Sequence, residues 1–180
     1  MRVLPTAVNG VAIIEPRVFE DDRGFFMEVW HEERYRAAGI DQRFVQENHS
    51  HSVRGTIRGL HYQVERPQGK LIRVTSGAIY DVAVDLRRSS ATFRQWVGIE
   101  LSANNRRFLW IPRGCAHGFS VTSEVADVSY LCTDLYAPDL ERTLRWDDPT
   151  IGITWPIERE PLLSAKDADG LPFNEAPLFG

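Results

Sequence analysis

Apolar residues recur at every second position through most of this chain. In "IYDVAVDL" (residues 79–86), Tyr80, Val82, Val84 and Leu86 share one face, while Asp81, Ala83 and Asp85 share the other. "WVGIEL" sets Val97, Ile99 and Leu101 against Trp96, Gly98 and Glu100, and "ADVSYLCT" puts Val128, Tyr130 and Cys132 together. Period-two runs at intervals of roughly ten residues, broken by turn clusters such as "RRSS", "SANN", "PRG" and "TSE", predict an all-β sandwich or barrel. Helical patterning is confined to two short stretches. "HEERYRAAG" predicts two turns ending at Gly39, and "SAKDADG" one more with Ser164 as cap.

No period of 20–50 residues repeats, and no Gly/Ser-rich or Pro-rich linker divides the chain, so residues 1–180 read as one domain. The proline-rich last 35 residues predict an extended tail with short helical pieces wrapping the β core. A chain of 180 residues, 43% hydrophobic, is long enough for one well-buried core. The net charge of −4 argues against a nucleic-acid partner, which calls for a basic surplus. No apolar run approaches the length of a membrane span, and the N-terminus lacks the apolar core of a signal peptide. The expectation is a cytoplasmic protein in which Cys115 and Cys132 are buried free thiols.

Candidate chemistry begins at "IRGLHYQVERPQGK", where His61 lies near Arg58 and Lys70. "GTIRGLHYQ" followed by "PRGCAHGF" resembles the two motifs of the cupin superfamily, a double-stranded β-helix or jelly roll. Metal-binding cupins place a second histidine where this chain has Gln63. His61 and His117 alone make a poor zinc or iron site, so no metal or other cofactor is expected. A metal-free pocket of His, Arg, Lys and Tyr suits proton transfer beside a carbonyl. Histidine has a suitable pKa for the base, Lys70 or Arg58 can stabilise an enolate, and a phenol such as Tyr130 can return a proton.

The chain also resembles the dTDP-4-dehydrorhamnose 3,5-epimerase family. The resemblance rests on seven collinear segments: "FEDDRGFFMEVW", "FVQENHSHS", "IRGLHYQ", "QGKLIRV", the run from Gly77 to Phe119, "LYAPDLERTLRWDDPTIGITWP" and "LLSAKDA". It implies His61 as general base, Asp167 as its paired carboxylate, Tyr130 as the acid and Lys70 near the keto oxygen. It further implies that Arg23, Glu28, Gln46, Asn48, Arg58, His117, Glu141 and Lys166 contact a nucleotide sugar. The implied partner is dTDP-4-dehydro-6-deoxyglucose. A homodimer is also implied, in which an exchanged N-terminal segment carries Arg23 and Glu28 to the neighbour's pocket. Leu135 replaces the first tyrosine of a Tyr-Tyr pair common in the family.

Plainer readings stand beside these. Tyr130 fits a core aromatic, His117 a structural histidine and Lys70 a solvated turn residue. Asp167 fits the third position of a capping box begun by Ser164. Strict alternation puts Arg58 and His61 on opposite faces, so lining one pocket together requires a bulge at Gly59. A single-carbon epimerase, a 3,4-ketoisomerase and a non-enzymatic sugar-binding cupin are the rival functions.

Overall fold

Alternation becomes two antiparallel sheets in the computed structural model, which describes all of residues 1–180. The first sheet runs in the order β1 (Arg2–Pro5), β2 (Ala12–Glu15), β10 (Phe108–Ile111), β7 (Lys70–Ser76), β12 (Val125–Cys132), β5 (Gln46–Val53). The second runs β13 (Glu141–Thr143), β6 (Ile57–Gln63), β11 (Cys115–Val121), β8 (Ala78–Asp85), β9 (Trp96–Ser102). Their inner faces meet over a core of Ile72, Val74, Ile79, Ala83, Leu101, Phe119 and Val128. This is the cupin-type jelly roll. A separate hairpin, β3 (Val18–Asp21) with β4 (Gly24–Met27), leaves Phe19, Phe25 and Phe26 exposed.

Strand β8 is apolar on its outer side and carries acids on its inner one. Tyr80, Val82 and Val84 pack outward with Leu86, whereas Ile79, Asp81 and Ala83 face the barrel interior. The reason lies in the C-terminal residues, which cover that outer face. Ile151, Trp155, Phe173 and Ala176 are buried against it, and single parallel bridges join Thr56 to Leu162, Leu144 to Leu171 and Arg87 to Phe179. Burying a valine or leucine side chain contributes about 1.5–3 kcal/mol, enough to hold an irregular segment in place. The expected extended tail is therefore corrected. This stretch is a packed layer, because it buries the apolar face that alternation leaves on the outside of the second sheet.

Both helices form. Helix α1 (Glu32–Ala37) ends just before Gly39, whose φ of +90° permits the reversal that follows. Helix α2 (Ala165–Ala168) starts from Ser164, whose Oγ accepts from the Asp167 backbone N–H at 3.2 Å. Cys115 and Cys132 are free and buried.

Candidate active site

One cavity of about 420 Å³ opens at the end of the barrel between the two sheets. Its lining includes Gln46 and Asn48 from β5, Arg58 and His61 from β6, Lys70 from β7, His117 from β11 and Tyr130 from β12. Glu141 and Lys166 close one side and pair with each other at 2.8 Å. Ten of the twelve residues singled out in the sequence belong to this site, nine of them in the wall and Asp167 just behind it.

Arg58 and His61 share the cavity because β6 bulges between them. Opposite β6, His117 pairs with His61 and Phe119 with Arg58, so three steps on one strand match two on the other. Gly59 makes the bulge possible. Its φ is +123°, and a Cβ there would lie 2.5 Å from the Gly118 Cα and 2.7 Å from the His117 carbonyl oxygen.

His61 Nε2 lies 2.5 Å from Asp167 Oδ1. That same oxygen accepts from the Gly59 N–H at 3.3 Å, and Oδ2 accepts from the Ser164 hydroxyl at 2.7 Å. The capping and dyad readings of Asp167 are thus one arrangement. The cap fixes the carboxylate that orients the imidazole, leaving the other ring nitrogen without a partner in the chain. Burial lowers the pKa of His61, with Lys70 and Lys166 adding to the effect, while the Asp167 hydrogen bond and charge oppose it. The carboxyl of Asp167 is held below its ordinary pKa: burial works the other way, but His61, Ser164 and Gly59 outweigh it.

Lys70 is buried, not a solvated turn residue, and makes no ion pair. Burial pushes its pKa down, against the raising influence of Cys132, Glu141 and Asp81. Tyr130 packs against the core and also lines the cavity. Burial raises the pKa of its phenol, with Arg58 and Asn48 pulling the other way. His117 lines the cavity and bonds through Nε2 to Asp81 Oδ1 at 2.6 Å. The donor set does not fit the metal ligands of other cupins. Gln63 spends its amide on the backbone, donating to the Arg66 and Leu135 carbonyls and accepting from the Ala137 N–H.

Arg23 and Glu28 do not reach this cavity. Arg23 sits in the β3–β4 turn, bound to Asp21 at 2.6 Å, and Glu28 pairs with Arg34 at 2.9 Å. Leu135 also stays outside the cavity. Sequence reasoning passed over several cavity residues, among them Gln68, Ser50 and Tyr136, whose hydroxyl donates to Glu141 Oε2 at 2.9 Å. It also passed over Asp81, which alternation assigns to the polar face of β8 and which only the fold turns inward.

Comparison with known proteins identifies the family and the fold. The family model described as dTDP-4-dehydrorhamnose 3,5-epimerase matches residues 5–175. A protein of that name from Pseudomonas aeruginosa is 52% identical over 99% of both chains, and one from Methanothermobacter thermautotrophicus is 49% identical over 99% of this chain and 97% of its own. The crystal structure of a Legionella pneumophila 3,5-epimerase in complex with dTDP-4-keto-L-rhamnose superimposes with a TM-score of 0.95. It is 46% identical, over 98% of this chain and 94% of its own. A full-length match to the family model, half-identical relatives and a shared jelly roll lead to one conclusion: the chain belongs to the dTDP-4-dehydrorhamnose 3,5-epimerase family, carbohydrate epimerases of the isomerase class.

Proposed function

We propose that this cavity epimerises dTDP-4-dehydro-6-deoxyglucose at C3 and C5 by proton transfer, with His61 as base and Tyr130 as acid. The observation that carries the reading is that these two residues enter one cavity from different sheets, His61 from β6 and Tyr130 from β12. Inversion needs this disposition, because the proton must leave one face of the ring and return to the other. Asp167 holds the imidazole and stabilises it once protonated.

The chemistry follows from the ketone at C4, which acidifies the hydrogens on both neighbouring carbons. His61 takes a proton from C5 or C3, and the C–H electron pair becomes the enolate double bond. The negative charge arrives on the C4 oxygen, where Lys70 supplies a donor in a water-poor site. Tyr130 then protonates carbon from the opposite side, and solvent restores both side chains. Isomerisation is redox-neutral overall, so the reaction calls for no electron acceptor. Arg58, Gln46, Asn48, Glu141 and Lys166 line the approach, and the planar fork of Arg58 suits a diphosphate oxygen. His117 belongs with the sugar contacts.

Arg23 and Glu28 enter this account through a second subunit. The β3–β4 hairpin presents three exposed phenylalanines beside Arg23, a surface suited to burial on a copy of the same chain. We therefore read residues 1–180 as one epimerase domain working as a homodimer with exchanged hairpins in the cytoplasm.

The test incubates the protein with the keto sugar in heavy water and locates the label by NMR. Wild-type protein should carry deuterium into C3 and C5 with inversion at both, whereas label and inversion at one carbon alone would make it a single-carbon epimerase. A folded His61→Ala variant should incorporate none, and retained exchange removes His61 from the mechanism. Tyr130→Phe should exchange in part while net inversion falls, and undiminished inversion would return the tyrosine to a structural role.

A further inference from the structure

A second imidazole–carboxylate pair stands beside the first. His61 and His117 are direct partners across β6 and β11, and His117 Nε2 meets Asp81 Oδ1 at 2.6 Å. Asp81 is fully buried on β8, and its other oxygen, Oδ2, has no hydrogen-bond partner. The neighbours on its face of the strand, Ile79 and Ala83, belong to the apolar core. Packing alone gives no reason for an acid there. A buried carboxylate with one bare oxygen costs stability, and replacing a buried pair as a whole by well-packed apolar residues is often neutral or stabilising.

The pairing does have a chemical consequence. Committing Nε2–H to a carboxylate leaves Nδ1 as the lone-pair nitrogen of a neutral ring. His117 Nδ1 makes no hydrogen bond within the chain, and His117 forms part of the cavity wall. The charge of Asp81 also acts on Lys70, where it counters the effect of burial.

We propose that Asp81 is a positioning residue of the epimerase reaction. It fixes His117 in the Nε2–H tautomer, so that Nδ1 accepts a ring hydroxyl of the keto sugar and turns the adjacent C–H toward His61. The inference rests on the reading of the cavity as a keto-sugar site. The two dyads then divide the work: Asp167 serves the imidazole that moves the proton, and Asp81 serves the imidazole that holds the sugar still.

The test uses the isosteric variant Asp81→Asn together with ¹⁵N NMR of histidine-labelled protein, the His117 signals being assigned through His117→Gln. In wild-type protein His117 should show the Nε2–H tautomer. An Nδ1–H tautomer overturns the proposal, and this measurement requires no variant to fold. In Asp81→Asn the carboxamide can donate to Nε2, so the proton should move to Nδ1 and turn an acceptor into a donor. We expect kcat to fall by about 10- to 100-fold, as for loss of an orienting partner elsewhere, and by more than KM rises. A wild-type kcat in the folded variant overturns the proposal, whatever its melting temperature. If wild-type protein carries no deuterium into the keto sugar, the keto-sugar reading fails; if it carries deuterium there while Asp81→Asn turns over normally, only the present inference fails.

Discussion

Two of the three histidine–carboxylate groups on this molecule look alike on paper and differ in physics. On the exposed side of the first sheet, His49 and His51 on β5 both bond to Asp127 Oδ1 on β12, at 3.1 and 3.0 Å, His49 also bordering the cavity. Their side chains are 58% and 60% exposed. Inside the barrel, His61 meets Asp167 with side chains only 23% and 4% exposed. Water screens the outer group, so its contacts are weak and easily exchanged. Burial works against the charged imidazole in the inner pair, and the cap at Ser164 prevents the carboxylate from turning away. Proximity of His to Asp is common; burial and a carboxylate fixed by a second bond set the inner pair apart.

Substitution at the inner pair is the sharpest way to break that comparison. Asp167→Asn should lower kcat by about 10²- to 10⁴-fold, the upper figure being that of a serine-protease triad altered in the same way. Its pH profile sharpens the point. His61 must be neutral to act, so the acid limb of the wild-type profile should lie below the ordinary imidazole value near 6.5, because burial lowers the pKa. Asp167 raises that pKa, so its loss should shift the limb to still lower pH even as the rate falls. A limb moving upward would contradict the account. Stability carries the same sign. With the folded pKa depressed, the contribution of neutral His61 is complete above 6.5 and is lost as pH falls through the lowered value. Thermal melts across that window check it.

Gly59→Ala should have the next largest effect. Its methyl group would overlap backbone on β11, and φ at +123° disfavours any side chain. We expect destabilisation on the order of 3 kcal/mol in denaturant unfolding. Because the bulge places Arg58 and His61 in one cavity, deuterium exchange in any protein that still folds should fall as well. Exchange unaffected by the substitution would mean that the bulge does not position the base. Asp127→Asn marks the small end of the scale. It should leave the melting temperature and the exchange at C3 and C5 unchanged, and a loss of exchange there would make the outer group part of the chemistry.

Much of the architecture could be read from alternation, because period two is a backbone property that each strand expresses alone. The two helices were equally legible from Gly39 and Ser164. The layer formed by residues beyond Leu144 was not, since irregular segments carry no period and their place is set by the apolar faces of Tyr80, Val82 and Val84. In the site, the bulge at Gly59 was anticipated because strict alternation would otherwise put Arg58 and His61 on opposite faces. Whether Asp167 capped a helix or served a base had no answer in one dimension, because one carboxylate has two oxygens and the fold uses both.

The sequence by itself determined the strand periods, the glycine that bends β6, the pairing of a serine cap with an acid, and the set of side chains available for proton transfer. Tertiary structure alone decided which face of β8 looks inward, that His61 and Tyr130 enter one cavity from different sheets, and that Asp81 finds His117. The reason is range. Dihedral preference and side-chain alternation act between neighbours along the chain, whereas burial, and with it the strength of every charge in the cavity, exists only once residues 106 positions apart, as in the bond from His61 to Asp167, are brought into contact.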